Sequence, residues 1–72
     1  MKKKFKMEDL ECAHCAAKME EAIKNIPGVM NASVNFLAQK MTIEAPDELF
    51  DDIVDKAVEC VKKVEPDCRV LV

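Results

Sequence analysis

Twice within 72 residues the apolar pattern switches from period two to period 3.6 and back, which fixes the order of elements before any single motif is considered. Residues 3–9 alternate, with Phe5 and Met7 on one side and Lys4, Lys6 and Glu8 on the other, as in a half-buried strand. Over residues 13–26 the apolar Ala16, Met19, Ala22, Ile23 and Ile26 recur at helical spacing, opposite Lys18, Glu20, Glu21 and Lys24. Pro27-Gly28 stops that helix. Residues 29–35 alternate again, with Met30, Ala32 and Val34 sharing a face, and a turn over 36–39 leads into a third strand, Met41-Thr42-Ile43. Pro46-Asp47 opens a second helix, with Asp47 expected as N-cap, Glu48, Asp51 and Asp52 near its start and Lys62 and Lys63 near its end. Its apolar face carries Phe50, Ile53, Val54, Ala57, Val61 and Val64. A turn at Glu65-Pro66-Asp67 precedes a last strand over 68–72.

The order βαββαβ predicts an α+β, ferredoxin-like fold: a four-stranded antiparallel sheet with both helices on one face, residues 1–72 forming a single domain. Following the chain up and down the sheet puts three connections at one end: the 12–15 loop, the 36–39 hairpin and the 65–67 turn. The 45–47 loop falls at the other end and carries no sulfur, so the fold predicts one site per domain.

A net charge of −3 with no basic cluster interleaved with aromatics argues against nucleic acid as a partner. The opening Met1-Lys2-Lys3-Lys4 is not followed by an apolar stretch, and no run is long enough for direct membrane insertion. The expected location is cytoplasmic, either free or as the cytosolic piece of something larger. Four cysteines in so short a chain could also mean a secreted disulfide scaffold. The single glycine, the missing secretory segment and the ample apolar set favour reduced thiols instead.

The chemistry centres on Asp9-Leu10-Glu11-Cys12-Ala13-His14-Cys15-Ala16-Ala17-Lys18. Two cysteines separated by two residues at a strand-to-helix junction can turn both sulfurs toward one soft or borderline metal ion. The helix start lowers thiol pKa and favours the thiolate. Redox-active pairs share this spacing, but thioredoxin-like sites need a different element order and a cis-proline, whereas Pro27, Pro46 and Pro66 all mark helix boundaries or turns. His14 reads as a solvent-facing spacer. Cys68 alternates with Val70 and Val72 and reads as a core thiol, with a third-sulfur role as the minority option; Cys60 reads as helix packing. Met7, Met19, Met30 and Met41 fall on core faces rather than forming a methionine-rich copper site.

The stretch 10–18, with Ile26-Pro27-Gly28-Val29 and Ala32-Ser33-Val34-Asn35-Phe36, resembles a heavy-metal-associated domain over nearly the whole chain. The tail Val64-Glu65-Pro66-Asp67 is similar to such domains at the N-terminus of bacterial zinc/cadmium-type P-type ATPases, whereas copper chaperones of this fold commonly have a glycine-aromatic pair in that turn. The sequence departs from the family's usual Gly-Met-Thr-Cys or Gly-Met-Asp-Cys: Asp9, Leu10 and Glu11 precede the first cysteine, with Leu10 replacing a buried methionine. Glu11 stands where zinc-type members often have a carboxylate.

The resemblance implies binding and transfer of Zn²⁺, Cd²⁺ or Pb²⁺ through Cys12 and Cys15. Glu65 from the turn and Glu11 from the loop are the candidate third donors, and the plainer reading of either one alone is a solvated surface carboxylate. The implied partner is the membrane-embedded part of a metal-exporting ATPase or another metal-carrier domain. The domain is expected to be non-catalytic and monomeric, or a dimer bridged by metal. Cu(I) is content with two thiolates, whereas Zn²⁺ and Cd²⁺ seek about four donors, oxygen among them. A free-standing Cu(I) (Cu⁺) metallochaperone is therefore the nearest rival, followed by a mercury-handling domain and, from another class, a thiol–disulfide oxidoreductase.

Overall fold

The computed structural model describes residues 1–71. Val72, expected in the last strand, lies outside the described residues. The elements run β1 (Lys2–Glu8), α1 (Ala13–Lys24), β2 (Asn31–Asn35), β3 (Lys40–Glu44), α2 (Asp47–Val64) and β4 (Arg69–Leu71). The sheet has the order β2-β3-β1-β4, and every neighbouring pair is antiparallel. The two βαβ halves interleave, and the four-stranded ferredoxin-like arrangement expected from the pattern is the one observed. No helix among the described residues is long and apolar enough to cross a membrane.

Alternation decides which sheet face is covered. Phe5 and Met7 of β1, Ala32 of β2 and Met41 and Ile43 of β3 are buried, meeting Ala16, Met19 and Ile23 of α1 and Phe50, Ile53, Ala57 and Val61 of α2. Removing each large aliphatic side chain in this layer from water contributes roughly 1.5–3 kcal/mol. The rings of Phe5 and Phe50 stack at 6.3 Å between centroids, locking β1 to the first half of α2. On the open face, Lys2, Lys4 and Lys6 stand out toward water.

Three expectations need correction. Met30 does not face the core but is 69% exposed. Strand β2 begins only at Asn31, so at Met30 the chain is still leaving the turn through Gly28, whose φ is +97°, and strand parity does not yet apply. The partly buried Val29 packs against the core instead. Asp47 is not the N-cap of α2. Pro46 occupies that position, and Asp47 is the first helical residue, its carboxylate 2.9 Å from the Met1 amino group. Helix α1 ends at Lys24, two residues early, with Asn25 as C-cap, yet Ile26 is still buried through the turn that follows.

The edge strand β2 is guarded by side chains. Val34 N–H donates to Glu20 Oε1 of α1 at 3.1 Å, and Ala32 N–H to Asn31 Oδ1 at 2.9 Å. Two donors that would otherwise invite strand addition are thereby occupied. Glu20, which the sequence shows only as part of a polar helix face, thus ties α1 to the sheet edge.

Gly28 closes the end of the fold away from the cysteines. A Cβ there would lie 3.1 Å from both Leu49 Cδ1 and Ile53 Cδ1, on a backbone conformation that L side chains rarely adopt. Gly28→Ala is expected to destabilise the domain by about 1–2 kcal/mol. Urea unfolding should show a lower midpoint with an unchanged slope; an unchanged midpoint would refute this account of the turn.

Candidate metal centre

Strand β1 ends at Glu8, and the chain then turns through Asp9, whose φ of +62° is unusual for a residue with a side chain. That turn drives Leu10 into the core at 3% exposure and leaves Asp9 and Glu11 in water. Cys12 follows in extended conformation as the N-cap of α1. Its Sγ accepts the Cys15 N–H at 3.2 Å, the position that a serine or aspartate oxygen takes at other helix starts. Cys15 is therefore the third helical residue, on the first turn above Cys12. Both cysteines are partly exposed, and all four cysteines are free thiols.

The 65–67 turn arrives beside this pair, as the topology predicted. Glu65 ends α2, its N–H bonded to Val61 O at 2.9 Å, and the Cys15 thiol donates to Glu65 Oε2 at 3.7 Å. Glu11 is exposed, and no hydrogen bond joins it to either cysteine among the described residues. His14 is exposed, in keeping with a spacer. Cys68 is fully buried, and Cys60 is partly buried against the core. Among the described residues no three histidine, cysteine, aspartate or glutamate side chains stand together as a finished metal cage.

The two thiols are not equivalent. Cys12 lies below its usual range because the Cys15 side chain hydrogen-bonds to it and the N–H groups of Cys15 and His14 point at its sulfur. The Cys15 thiol is pushed up to about 11 by that same bond to Cys12, by partial burial, and by the nearby negative charges of Cys12 and Glu65. It has one hydrogen, for which Cys12 Sγ and Glu65 Oε2 compete. Burial raises the Cys68 thiol, with Glu65 and Asp9 adding to the effect, so this sulfur remains a protonated packing group.

The third connection at this end carries a residue that no motif or spacing singles out. Gln39, in left-handed conformation (φ +54°), closes the β2–β3 hairpin. Its Oε1 accepts the Leu10 N–H at 3.0 Å, and its Nε2 donates to Leu10 O and, at 2.8 Å, to Phe36 O. Met7 N–H donates to Gln39 O at 2.8 Å. Nothing in the spacing of a four-residue turn distinguishes such a side chain from a solvated glutamine.

The fold and the site thus define a ferredoxin-like domain that carries a CxxC pair at the N-terminus of its first helix. The chain belongs to the heavy-metal-associated domain family, whose profile matches residues 4–66, and is a metal-binding module of that family. It is 30% identical over 70 residues to a cadmium, zinc and cobalt-transporting ATPase of Bacillus subtilis (strain 168), covering 97% of this chain but only 10% of that protein. Among solved structures it is similar to the N-terminal domain of a potential copper-translocating P-type ATPase from Bacillus subtilis in the Cu(I)-loaded state, at 32% identity and a TM-score of 0.75 over 96% of this chain and 84% of that one. The CopZ metallochaperone shares the fold, with a TM-score of 0.74 at 22% identity over 99% of this chain and all of that one.

The thiol asymmetry has a direct readout. At about pH 8 a thiol with a pKa near 11 is thiolate in only about one part in a thousand, whereas one below 9 is at least about a tenth ionised. In the reduced, metal-free protein, iodoacetamide should label Cys12 at least about tenfold faster than Cys15, and Cys68 slowest of all. Peptide mass mapping of a time course checks this; equal rates for Cys12 and Cys15 would refute the assigned protonation.

Proposed function

We propose that Cys12 and Cys15 bind one Zn²⁺, Cd²⁺ or Pb²⁺ ion, with the Glu65 carboxylate as third donor and Glu11 as an accessory one. The chain would act as the cytosolic N-terminal domain of a heavy-metal-exporting P-type ATPase, handing the ion to the membrane-embedded part or to another carrier domain. The approach of Cys15 Sγ to Glu65 Oε2, 3.7 Å, carries this reading. Zn–S and Zn–O bonds of about 2.3 and 2.0 Å at a tetrahedral angle put their donor atoms about 3.5 Å apart. The two groups are thus spaced like ligands of one ion before any ion arrives. Asp9, Glu11, Glu65 and Asp67 add negative potential at the same end.

Transfer rather than storage follows from the incomplete donor set: a partly exposed pair at the start of a helix leaves coordination positions for an incoming ligand. Residues 1–72 would form one such unit, and a shared ion could join two of them. A second reading, Cu(I) transfer through the two thiolates alone, is supported by the 32% identity to the Cu(I)-loaded domain. The two readings differ in what they ask of Glu65.

Competitive titration of the reduced protein with Cd²⁺, Zn²⁺ and Cu(I) separates them. Cys12→Ser and Cys15→Ser should each abolish stoichiometric uptake. Glu65→Ala should weaken Cd²⁺ and Zn²⁺ on the order of tenfold while changing Cu(I) by less than about twofold. Equal losses for all three metals would overturn the carboxylate-donor assignment, and uptake surviving loss of both thiols would overturn the site.

Protons compete for the same sulfurs. Cys15 is pushed up to about 11 in the metal-free protein and must release its proton to ligate, so binding tightens as pH rises. Apparent Cd²⁺ affinity is expected to increase at least about tenfold per pH unit between about pH 6 and 8. A flat profile in a non-coordinating buffer would show that Cys15 is not a ligand.

A further inference from the structure

We infer that Gln39 is a positioning residue for the cysteine loop: its carboxamide holds Leu10 in place and thereby sets where Cys12 presents its sulfur. The inference deepens the metal-binding reading and rests on it.

Leu10 lies two residues before Cys12, beyond the end of β1, where no strand partner is left for its backbone. Its side chain is buried, so an unpaired N–H and C=O there would cost about 1–3 kcal/mol each. One side chain meets both needs. Gln39 Oε1 accepts from Leu10 N–H, and Nε2 donates to Leu10 O, the exchange of a donor and an acceptor that a paired strand residue would otherwise make. The amide orientation is fixed by chemistry, because a flipped carboxamide would set its oxygen against the carbonyls of both Leu10 and Phe36.

The anchor itself is firm. Gln39 is held at its base by the bond from Met7 N–H to its own carbonyl, and at its tip by Phe36 O. The left-handed backbone at Gln39 aims this side chain at the loop, and the left-handed backbone at Asp9 brings Leu10 to meet it. From Leu10 only Glu11 intervenes before Cys12, whose extended backbone and bond from Cys15 N–H complete the presentation. Gln39 is thus the one connection that ties the β2–β3 hairpin to the cysteine loop through side-chain hydrogen bonds among the described residues.

Gln39→Met keeps the length and removes every side-chain hydrogen bond. Gln39→Glu keeps the acceptor for Leu10 N–H but turns a second oxygen toward two carbonyls. Both variants, reduced and metal-free, would be compared with the parent by thermal unfolding, by hydrogen exchange at the Leu10 amide and by the Cys12-to-Cys15 alkylation ratio; Cd²⁺ affinity would be measured separately. The expected result for Gln39→Met is Leu10 exchange at least about tenfold faster, a narrowed alkylation ratio and Cd²⁺ binding about 3–10-fold weaker. In Gln39→Glu, the Leu10 amide resonance should return toward the parent position as the introduced carboxylate is protonated near about pH 4, a rescue that mere loss of packing would not produce.

The inference is overturned if a folded Gln39→Met protein keeps parental Leu10 protection and alkylation ratio, or if it binds Cd²⁺ as tightly as the parent. Should Gln39→Met fail to fold, Gln39→Glu carries the same comparison. A parent protein that binds no Cd²⁺ would defeat the proposed function, while the exchange and alkylation readouts would still decide whether Gln39 holds the loop.

Discussion

Burial of Leu10 determines where the cysteines can go. Between the exposed Asp9 and Glu11, this one side chain is drawn into the core, contributing on the order of 2 kcal/mol, and the chain on either side must follow. It forces the left-handed turn at Asp9, removes Leu10's backbone groups from water, and leaves two residues in which to reach the start of α1. Cys12 then falls at the N-cap of α1, in extended conformation. The apolar anchor and the polar clamp from Gln39 act on one residue from its two sides, so the reactive loop is fixed from within while its sulfurs stay accessible.

The lengths of the helices explain what meets those sulfurs. At 1.5 Å per residue, α1 with 12 residues runs about 18 Å and α2 with 18 residues about 27 Å. Helix α2 therefore returns the chain along the full sheet and delivers its last residues to the end where α1 begins. The thiol pair sits between the positive end of one helix and the negative end of the other. Cys12, which accepts from the Cys15 side chain and from the first N–H groups of α1, gains by ionising; Cys15, which donates to Cys12 and lies beside Glu65, does not. Their opposite pKa displacements are two views of one arrangement.

Much of this was legible in the sequence because it depends on periodicity. The two switches of apolar spacing place all six elements, and antiparallel connectivity then puts the 12–15, 36–39 and 65–67 connections together without reference to any contact. What the pattern cannot carry is backbone that is not yet periodic. Met30 shares its parity with Ala32 and Val34 on paper, but the chain at that point obeys the glycine turn, not the strand. Asp47 has the chemistry of an N-cap, yet the proline before it holds the extended backbone that the cap position needs. Gln39 and Glu20 escaped for a different reason. Each satisfies a backbone group far away in sequence, and a polar residue's partner is set by three-dimensional placement that no local spacing encodes.

Charge balance gives the arrangement a preference among ions under the proposed reading. With both thiols ionised and Glu65 beside them, the site holds three negative charges, and the metal-free protein relieves the repulsion by keeping a proton on Cys15. A cation entering between the two sulfurs takes that proton's place and answers the carboxylate as well. A divalent ion leaves one residual negative charge, whereas Cu(I) leaves two and has no need of the oxygen. Cu(I) would be held by the sulfurs against the field of Glu65, and Zn²⁺ or Cd²⁺ with its help. Under that reading the carboxylate, which adds to what the Cys12 bond and burial already do to keep the proton on Cys15, favours a doubly charged ion once that proton has gone.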